Sequence, residues 1–246
     1  MFSKALSDEA LRGLTQVDSP TVANVIELFN VRSRAAGYPS GALHAVYPEL
    51  PPIAGYAVTA TFRAAYPAEV GDNYSAMPQL IEEALAVPAP RIVVFQDLDE
   101  PSRAATYGEI MVSSFQKFDF SGLITSGAAR DILQVKQLQF PCWASSVIVS
   151  HGYCRFVDVN VPVNVGGLLV KPGDLLHADA NGIINIPHAI AGAVAELSGP
   201  YMQAEQIILD YLKSSDVTPE GYSQAVTRSK NRISQLSEEA RRYLKS

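Results

Sequence analysis

Cysteine is scarce: Cys142 and Cys154 are the only two in 246 residues, and neither stands in a CxxC or Cys/His spacing. That argues against a disulfide framework and a zinc ribbon, and both residues read as reduced core thiols. Long apolar runs are missing as well. No stretch approaches the ~20 residues that a membrane-crossing helix needs, and the start of the chain turns acidic at Asp8-Glu9 before any signal-peptide core. The expectation is a cytoplasmic protein with no membrane partner. Basic charge is in deficit, 19 Lys and Arg against 25 Asp and Glu for a formal charge of −6, so no nucleic-acid partner is expected. Internal repeats and low-complexity blocks are absent too. What is present is 48% hydrophobic and 18% charged, enough for one substantial core.

Ser19-Pro20 reads as an N-cap before a proline in the first turn, with Val22, Val25, Ile26 and Phe29 at helical spacing behind it. A connection rich in Pro, Gly and Tyr, from Gly37 to Pro52, leads to Tyr56–Phe62. There Val58, Ala60 and Phe62 alternate with Thr59 and Thr61, as in a half-buried strand. The next helix is expected from about Asp72-Asn73, with Leu80, Ile81, Ala84 and Leu85 inward, and Pro88 and Pro90 ending it before the strand Ile92–Phe95. Ile110, Met111, Ser114 and Phe115 then predict a helix, Leu123-Ile124-Thr125 a strand, and Ile132, Val135 and Leu138 another helix. From Ala144 the chain reads as mostly β, punctuated at Gly166-Gly167, Pro172-Gly173 and Asn181-Gly182. Helical signals return over Ala189–Lys213 with a kink or break expected at Gly199-Pro200. The division is one domain over residues 1–215 and a helical extension over 216–246, amphipathic through Ile233, Leu236 and Leu244.

The chemistry concentrates at Gly108-Glu109 and, after twenty residues, Arg130-Asp131. A guanidinium forks onto a carboxylate and keeps its charge at any working pH. Asp131 offers hard oxygen atoms suited to Mg²⁺ or Mn²⁺, and Glu109 is placed to complete the shell directly or through a water. Glycine at 108 lets a ligand approach the backbone, where the N–H groups of Ile110 and Met111 would receive a carboxylate. His151 is a candidate acid or base, His177 a weaker one, because both titrate near neutrality. Ser126 and the Asp and Asn residues of 172–174 and 179–182 read as turn formers.

Taken in order, Gly55-Tyr56-Ala57-Val58-Thr59, Gly71-Asp72-Asn73, Gly108-Glu109, Gly122, Gly127-Ala128-Ala129-Arg130-Asp131, Val165-Gly166-Gly167, Val170–Asp174 and Ala178–Gly182 through Ile186-Pro187 resemble the RraA-like family. That family includes the 4-hydroxy-4-methyl-2-oxoglutarate aldolases. The resemblance spans roughly residues 15 to 210. It implies an α/β fold, a swivelling-type α/β/β sandwich with peripheral helices, and a homotrimer or homohexamer with the site between subunits. In the aldolase branch an acid, twenty residues and Arg-Asp mark the metal and pyruvate site, positions that Glu109, Arg130 and Asp131 match. Glu109 stands where Asp is more familiar, and Ser126 replaces an aspartate often found before the glycine.

The resemblance thus implies a lyase: a metal-dependent pyruvate aldolase that cleaves a 4-hydroxy-2-oxo acid, with oxaloacetate decarboxylation through the same enolate. Arg130 is expected to bind the oxo-acid and stabilise the enolate, and Glu205 to be an acid contributed by a neighbouring subunit. Two rivals stand beside this reading. One is a non-catalytic protein-binding regulator of ribonuclease activity, since the family also resembles regulators of ribonuclease E. The other is a lyase for a different oxo-acid, with Glu109, His151 and Tyr153 reshaping the pocket.

Overall fold

The computed structural model describes residues 5–68 and 76–244. Its first half comprises α1 (Asp8–Leu14), α2 (Ser19–Phe29), β1 (His44–Ala45), β2 (Ile53–Arg63), α3 (Met77–Ala84), β3 (Arg91–Asp97), β4 (Ala105–Tyr107), α4 (Glu109–Lys117), β5 (Phe120–Thr125), β6 (Ala128–Ala129) and α5 (Ile132–Gln137). The β-rich part follows as β7 (Cys142–Ala144), β8 (Ser146–Val147), β9 (Arg155–Val159), β10 (Val163–Val165), β11 (Leu168–Val170), β12 (Leu175–Asp179) and β13 (Gly182–Ile186). Two long helices, α6 (Ala191–Leu212) and α7 (Pro219–Tyr243), complete the chain.

The main sheet has eight strands in the order β1-β7-β5-β3-β2-β12-β13, with β9 also paired to β2. Side chains alternate across it with period two, so each strand feeds two cores. Ala54, Tyr56, Val58, Ala60, Phe62, Val93, Phe95, Leu123, Leu175 and Ile184 point into the core shared with the helices. Ile53, Ala57, Ile92, Val94, Ile124, Leu176 and Ala178 point the other way and meet Val163, Val165, Leu168 and Val170 of the β10–β11 hairpin. The result is helices, sheet and hairpin in three layers, the α/β/β arrangement expected. It also explains why β2 is buried on both faces rather than half-buried, Thr59 and Thr61 included.

Several local expectations are corrected. Asp18, not Ser19, caps α2, accepting the Thr21 N–H through Oδ1 at 2.8 Å. The expected helix start near Asp72-Asn73 lies outside the described residues, and α3 is described from Met77. Leu85, expected inward, and Ile110, counted in the apolar spacing of α4, are 61% and 71% exposed; Val112 is buried on α4 instead. Pro200 does not break α6, which runs through it. That helix is clamped by α1, α2 and α7, and packing on three sides outweighs the ~3 kcal/mol cost of an internal proline. On α7 the buried positions are Ala225, Ser229, Leu236 and Ala240, whereas Leu244 is half exposed. Among the described residues no helix is long and apolar enough to cross a membrane.

His177, on β12, is fully buried between α1 and α2. Its Nε2–H donates to the Leu14 carbonyl at 3.0 Å, which leaves Nδ1 to accept the Ser19 hydroxyl at 2.8 Å. Burial lowers its pKa, outweighing the raising effect of the bond to Leu14 and of Asp179. The ring is a structural link between the sheet and two helices, not an acid or base. Because the folded pKa is depressed, its stabilising contribution is complete above the unfolded value of about 6.5 and is lost as pH falls through the folded one. His177→Gln, which cannot titrate, is expected to unfold about 1–3 kcal/mol more easily at pH 7. In urea titrations that gap should narrow between pH 7 and pH 5; a gap independent of pH would show that His177 is not buried neutral.

Candidate functional site

The chain brings its two chemistry-bearing segments together through parallel strands. Chains β5-β6 and β7-β8 are each interrupted by one or two residues, and β4, β6 and β8 form a small three-stranded sheet of their own. Within it β4 and β6 are parallel, with Tyr107 opposite Ala129. Each strand therefore delivers its next residues, Gly108-Glu109 and Arg130-Asp131, to the same carboxyl-terminal edge, where ligands of parallel sheets bind. The twenty-residue spacing is the length of α4, β5 and the return into β6.

Gly108 is the N-cap residue of α4 and makes no side-chain cap bond. Its φ of −151° is open to any residue, so the need for glycine is steric. A Cβ there would stand 2.5 Å from Asp131 Oδ2 and 2.9 Å from Arg130 Nε. These two side chains lie directly over the backbone of 108. Asp131 Oδ2 accepts the Glu109 N–H at 3.0 Å and lies 3.8 Å from Arg130 Nε. It thus serves as a remote cap for α4, at the end where a helix's free N–H groups favour negative charge. Asp131 itself begins α5 in the left-handed region, φ 55° and ψ 41°, without capping its own helix. That conformation, uncommon outside glycine though tolerated by Asp, is what turns its carboxylate sideways toward α4.

Both side chains are partly open, 26% for Arg130 and 34% for Asp131. Their mutual contact is therefore solvent-screened and contributes little stability. It is directional: Nε faces Asp131, and the contacts from Arg130 Nε and the Glu109 N–H fall on the same oxygen, Oδ2. The first-turn N–H groups at Ile110 and Met111 complete an anion-receptive edge, with the Ile110 side chain exposed and the Met111 side chain buried beneath.

The remaining expected residues fall into place differently. His151 sits in an exposed loop with Nδ1 2.8 Å from the Gly152 carbonyl. That loop reaches the site at Cys154, whose thiol is raised by burial while the positive charge of Arg130 acts to lower it. Cys142 is buried and pushed up to about 12, so both cysteines are free core thiols as expected. Ser126 is a turn residue, its Oγ accepting the Asp97 N–H at 2.9 Å. Glu205 lies on α6 against α2, taking Asn24 Nδ2 at 3.4 Å, with its carboxyl raised mainly by burial. Within one subunit it is not brought to Glu109 and Asp131.

Among the described residues no group of three or more His, Cys, Asp or Glu converges as a metal cage. The fit is of another kind. Mg²⁺ dehydrates reluctantly and is commonly held by one or two carboxylates with waters and substrate oxygens; the half-open Asp131 and the exposed Glu109 are the residues that would hold such an ion. Sequence reasoning missed Tyr47, which touches this turn from below. Its hydroxyl donates to the Ile132 carbonyl at 2.8 Å, and nothing in the Gly37–Pro52 connection signals it.

Comparison with known proteins bears on family and fold. Residues 22–185 match the profile of the family described as RraA-like, Aldolase/RraA. A protein of Halalkalibacterium halodurans named "Putative 4-hydroxy-4-methyl-2-oxoglutarate aldolase" is 30% identical over 118 residues, covering 48% of this chain and 54% of that protein. This chain thus spans about half the length of that relative. Among solved structures, an uncharacterized protein from Pseudomonas syringae pv. tomato superposes with a TM-score of 0.71 at 18% identity, covering 91% of this chain and 95% of the other. Streptomyces coelicolor RraAS2, described as an unusual member of the RNase ES inhibitor RraA protein family, gives a TM-score of 0.63 at 25% identity, covering 83% and 97%. With the profile spanning about two thirds of the sequence, the chain belongs to the RraA-like, Aldolase/RraA, family.

Proposed function

We propose that this protein is a divalent-metal-dependent aldolase that cleaves a 4-hydroxy-2-oxo acid to pyruvate and a carbonyl product, and that it also decarboxylates oxaloacetate. The observation that carries the reading is the convergence of an Arg130 fork, an Asp131 carboxylate and the open N-terminus of α4 around the single α-carbon of Gly108. Relatives named as putative 4-hydroxy-4-methyl-2-oxoglutarate aldolases support it.

Both reactions break the bond between C3 and C4 and leave an electron pair on pyruvate as an enolate. Arg130 binds the substrate carboxylate and stabilises the growing negative charge on the keto oxygen. The N–H groups at the start of α4 receive the same anion from the helix side. Asp131 and, through a water, Glu109 would hold Mg²⁺ or Mn²⁺, which when bound supplies Lewis-acid polarisation of the keto group. Glu109 lies one methylene further out than an aspartate would, giving it reach toward the C4 hydroxyl whose proton must leave. The scheme requires no lysine Schiff base.

Assembly belongs to the same proposal. An apolar groove of 610 Å³ between α3 and α4, lined by Met77, Ile81, Leu85, Ile110 and Phe118, begins at the residue after Glu109. Exposed apolar surface so close to a reactive edge fits closure by a second subunit in a trimer or hexamer, with Glu205 as the acid a neighbour would add. The likeness to RraAS2 supports the rival reading, a protein-binding regulator without turnover. A lyase for another oxo-acid would use the same Arg130 edge.

Removing metal with EDTA should abolish pyruvate formation from 4-hydroxy-2-oxo acids and oxaloacetate, and Mg²⁺ or Mn²⁺ should restore it; Asp131→Ala should not respond. Undiminished turnover by rigorously metal-free protein contradicts the mechanism. Arg130→Lys keeps the charge and loses the fork, so turnover should drop roughly 30- to 1000-fold, about 2–4 kcal/mol, with melting temperature nearly unchanged. Light scattering should give a trimer or hexamer that Leu85→Glu weakens; an active monomer would refute the shared site.

A further inference from the structure

We propose that Tyr47 is a positioning residue for Asp131: through the Ile132 carbonyl it holds the left-handed turn that aims the Asp131 carboxylate at α4. The inference rests on the reading of Asp131 given above and deepens it. Three bonds anchor the turn at 130–132. Arg130 N–H donates to the Tyr107 carbonyl at 3.3 Å, and Val135 N–H to the Asp131 carbonyl at 2.9 Å. The third is Tyr47 Oη to the Ile132 carbonyl at 2.8 Å, the one recorded side-chain anchor of this stretch of main chain.

Tyr47 is itself fixed to the main sheet. It follows β1, which pairs with β7; the next pairing along is Val46 N–H to the Cys142 carbonyl at 2.8 Å, and Leu50 N–H closes a turn onto the Tyr47 carbonyl at 3.1 Å. Only 4% of the residue is exposed, and burial, helped by the nearby charges of Glu49 and Asp131, raises its phenol well above the ordinary range. The hydroxyl therefore remains a neutral donor at every working pH. A carbonyl has two lone pairs, so Ile132 can take this bond in addition to any within α5. An αL residue other than glycine persists only when its surroundings over-determine it, and Tyr47 supplies that constraint from a rigid strand edge.

Tyr47→Phe removes one oxygen and keeps the ring. The Glu109 amide, bonded to the Asp131 carboxylate at 3.0 Å, provides a readout that needs no turnover: its proton chemical shift and its exchange rate report whether that bond is kept. In Tyr47→Phe the Glu109 amide proton should move upfield toward the position of an unbonded amide, and amide exchange at Glu109 and residues 131–135 should speed up about tenfold relative to strands β2 and β3. Turnover of the metal-loaded protein should fall about tenfold, mainly in kcat. Glu49→Gln, which breaks the neighbouring 2.8 Å ion pair to Lys136 of α5, should leave the Glu109 amide unchanged. An unaltered Glu109 amide in Tyr47→Phe, or a loss of protection spread evenly over the chain, overturns the proposal and makes Tyr47 a packing residue. A parent protein that releases no pyruvate would defeat the aldolase reading alone, because the amide measurement judges Tyr47 independently.

Discussion

The site depends on one close approach: Asp131 Oδ2 and Arg130 Nε lie where a Cβ on residue 108 would be. That contact joins the ends of two parallel strands and gives the first N–H of α4 a negative partner from α5. It also sets the Arg130 Nε 3.8 Å from the carboxylate on a side chain that is 26% exposed. Any side chain at 108 would push the carboxylate off the Glu109 amide and the guanidinium off the carboxylate at once. The glycine matters for space and not for dihedral freedom.

Around that contact the molecule is rigid where rigidity is useful. The sheet is packed on both faces, by helices and by the β10–β11 hairpin, and each large side chain so buried contributes on the order of 1.5–3 kcal/mol. The reactive residues sit beyond the strand ends, on short segments whose dihedrals are imposed by this frame. Among the described residues five non-glycine positions take the left-handed region, and the one at the site is Asp131, φ 55°, where the bonds of Tyr107, Val135 and Tyr47 converge. Stability and site geometry are thus separable: the core tolerates changes at Arg130, while the carboxylate direction depends on a few main-chain anchors.

How much of this could be read in the sequence varies with the kind of signal. Period-two and helical patterns located most elements, because burial on one face repeats along the chain. The same patterns misjudged Leu85 and Ile110, since periodicity marks an apolar residue without saying whether its own subunit covers it. A break at Pro200 was expected because local cost was weighed without the three helices that clamp α6. Glu109, Arg130 and Asp131 were legible as a spaced set, and the parallel β4–β6 pairing explains that spacing. Gly108 was legible as necessary, but its reason, the neighbouring side chains rather than an incoming ligand, needed coordinates. Tyr47 had no signal at all, being joined to the site through a carbonyl 85 residues away in sequence.

The central claim is that Arg130 and Asp131 together form a metal-assisted site for an oxo-acid enolate. Oxalate, a planar dianion shaped like enolised pyruvate, tests it without substrate knowledge. Titration calorimetry should show oxalate binding to the parent protein only when Mg²⁺ or Mn²⁺ is present, and little or none to Asp131→Asn. Equal binding without metal, or undiminished binding by Asp131→Asn, would contradict the account.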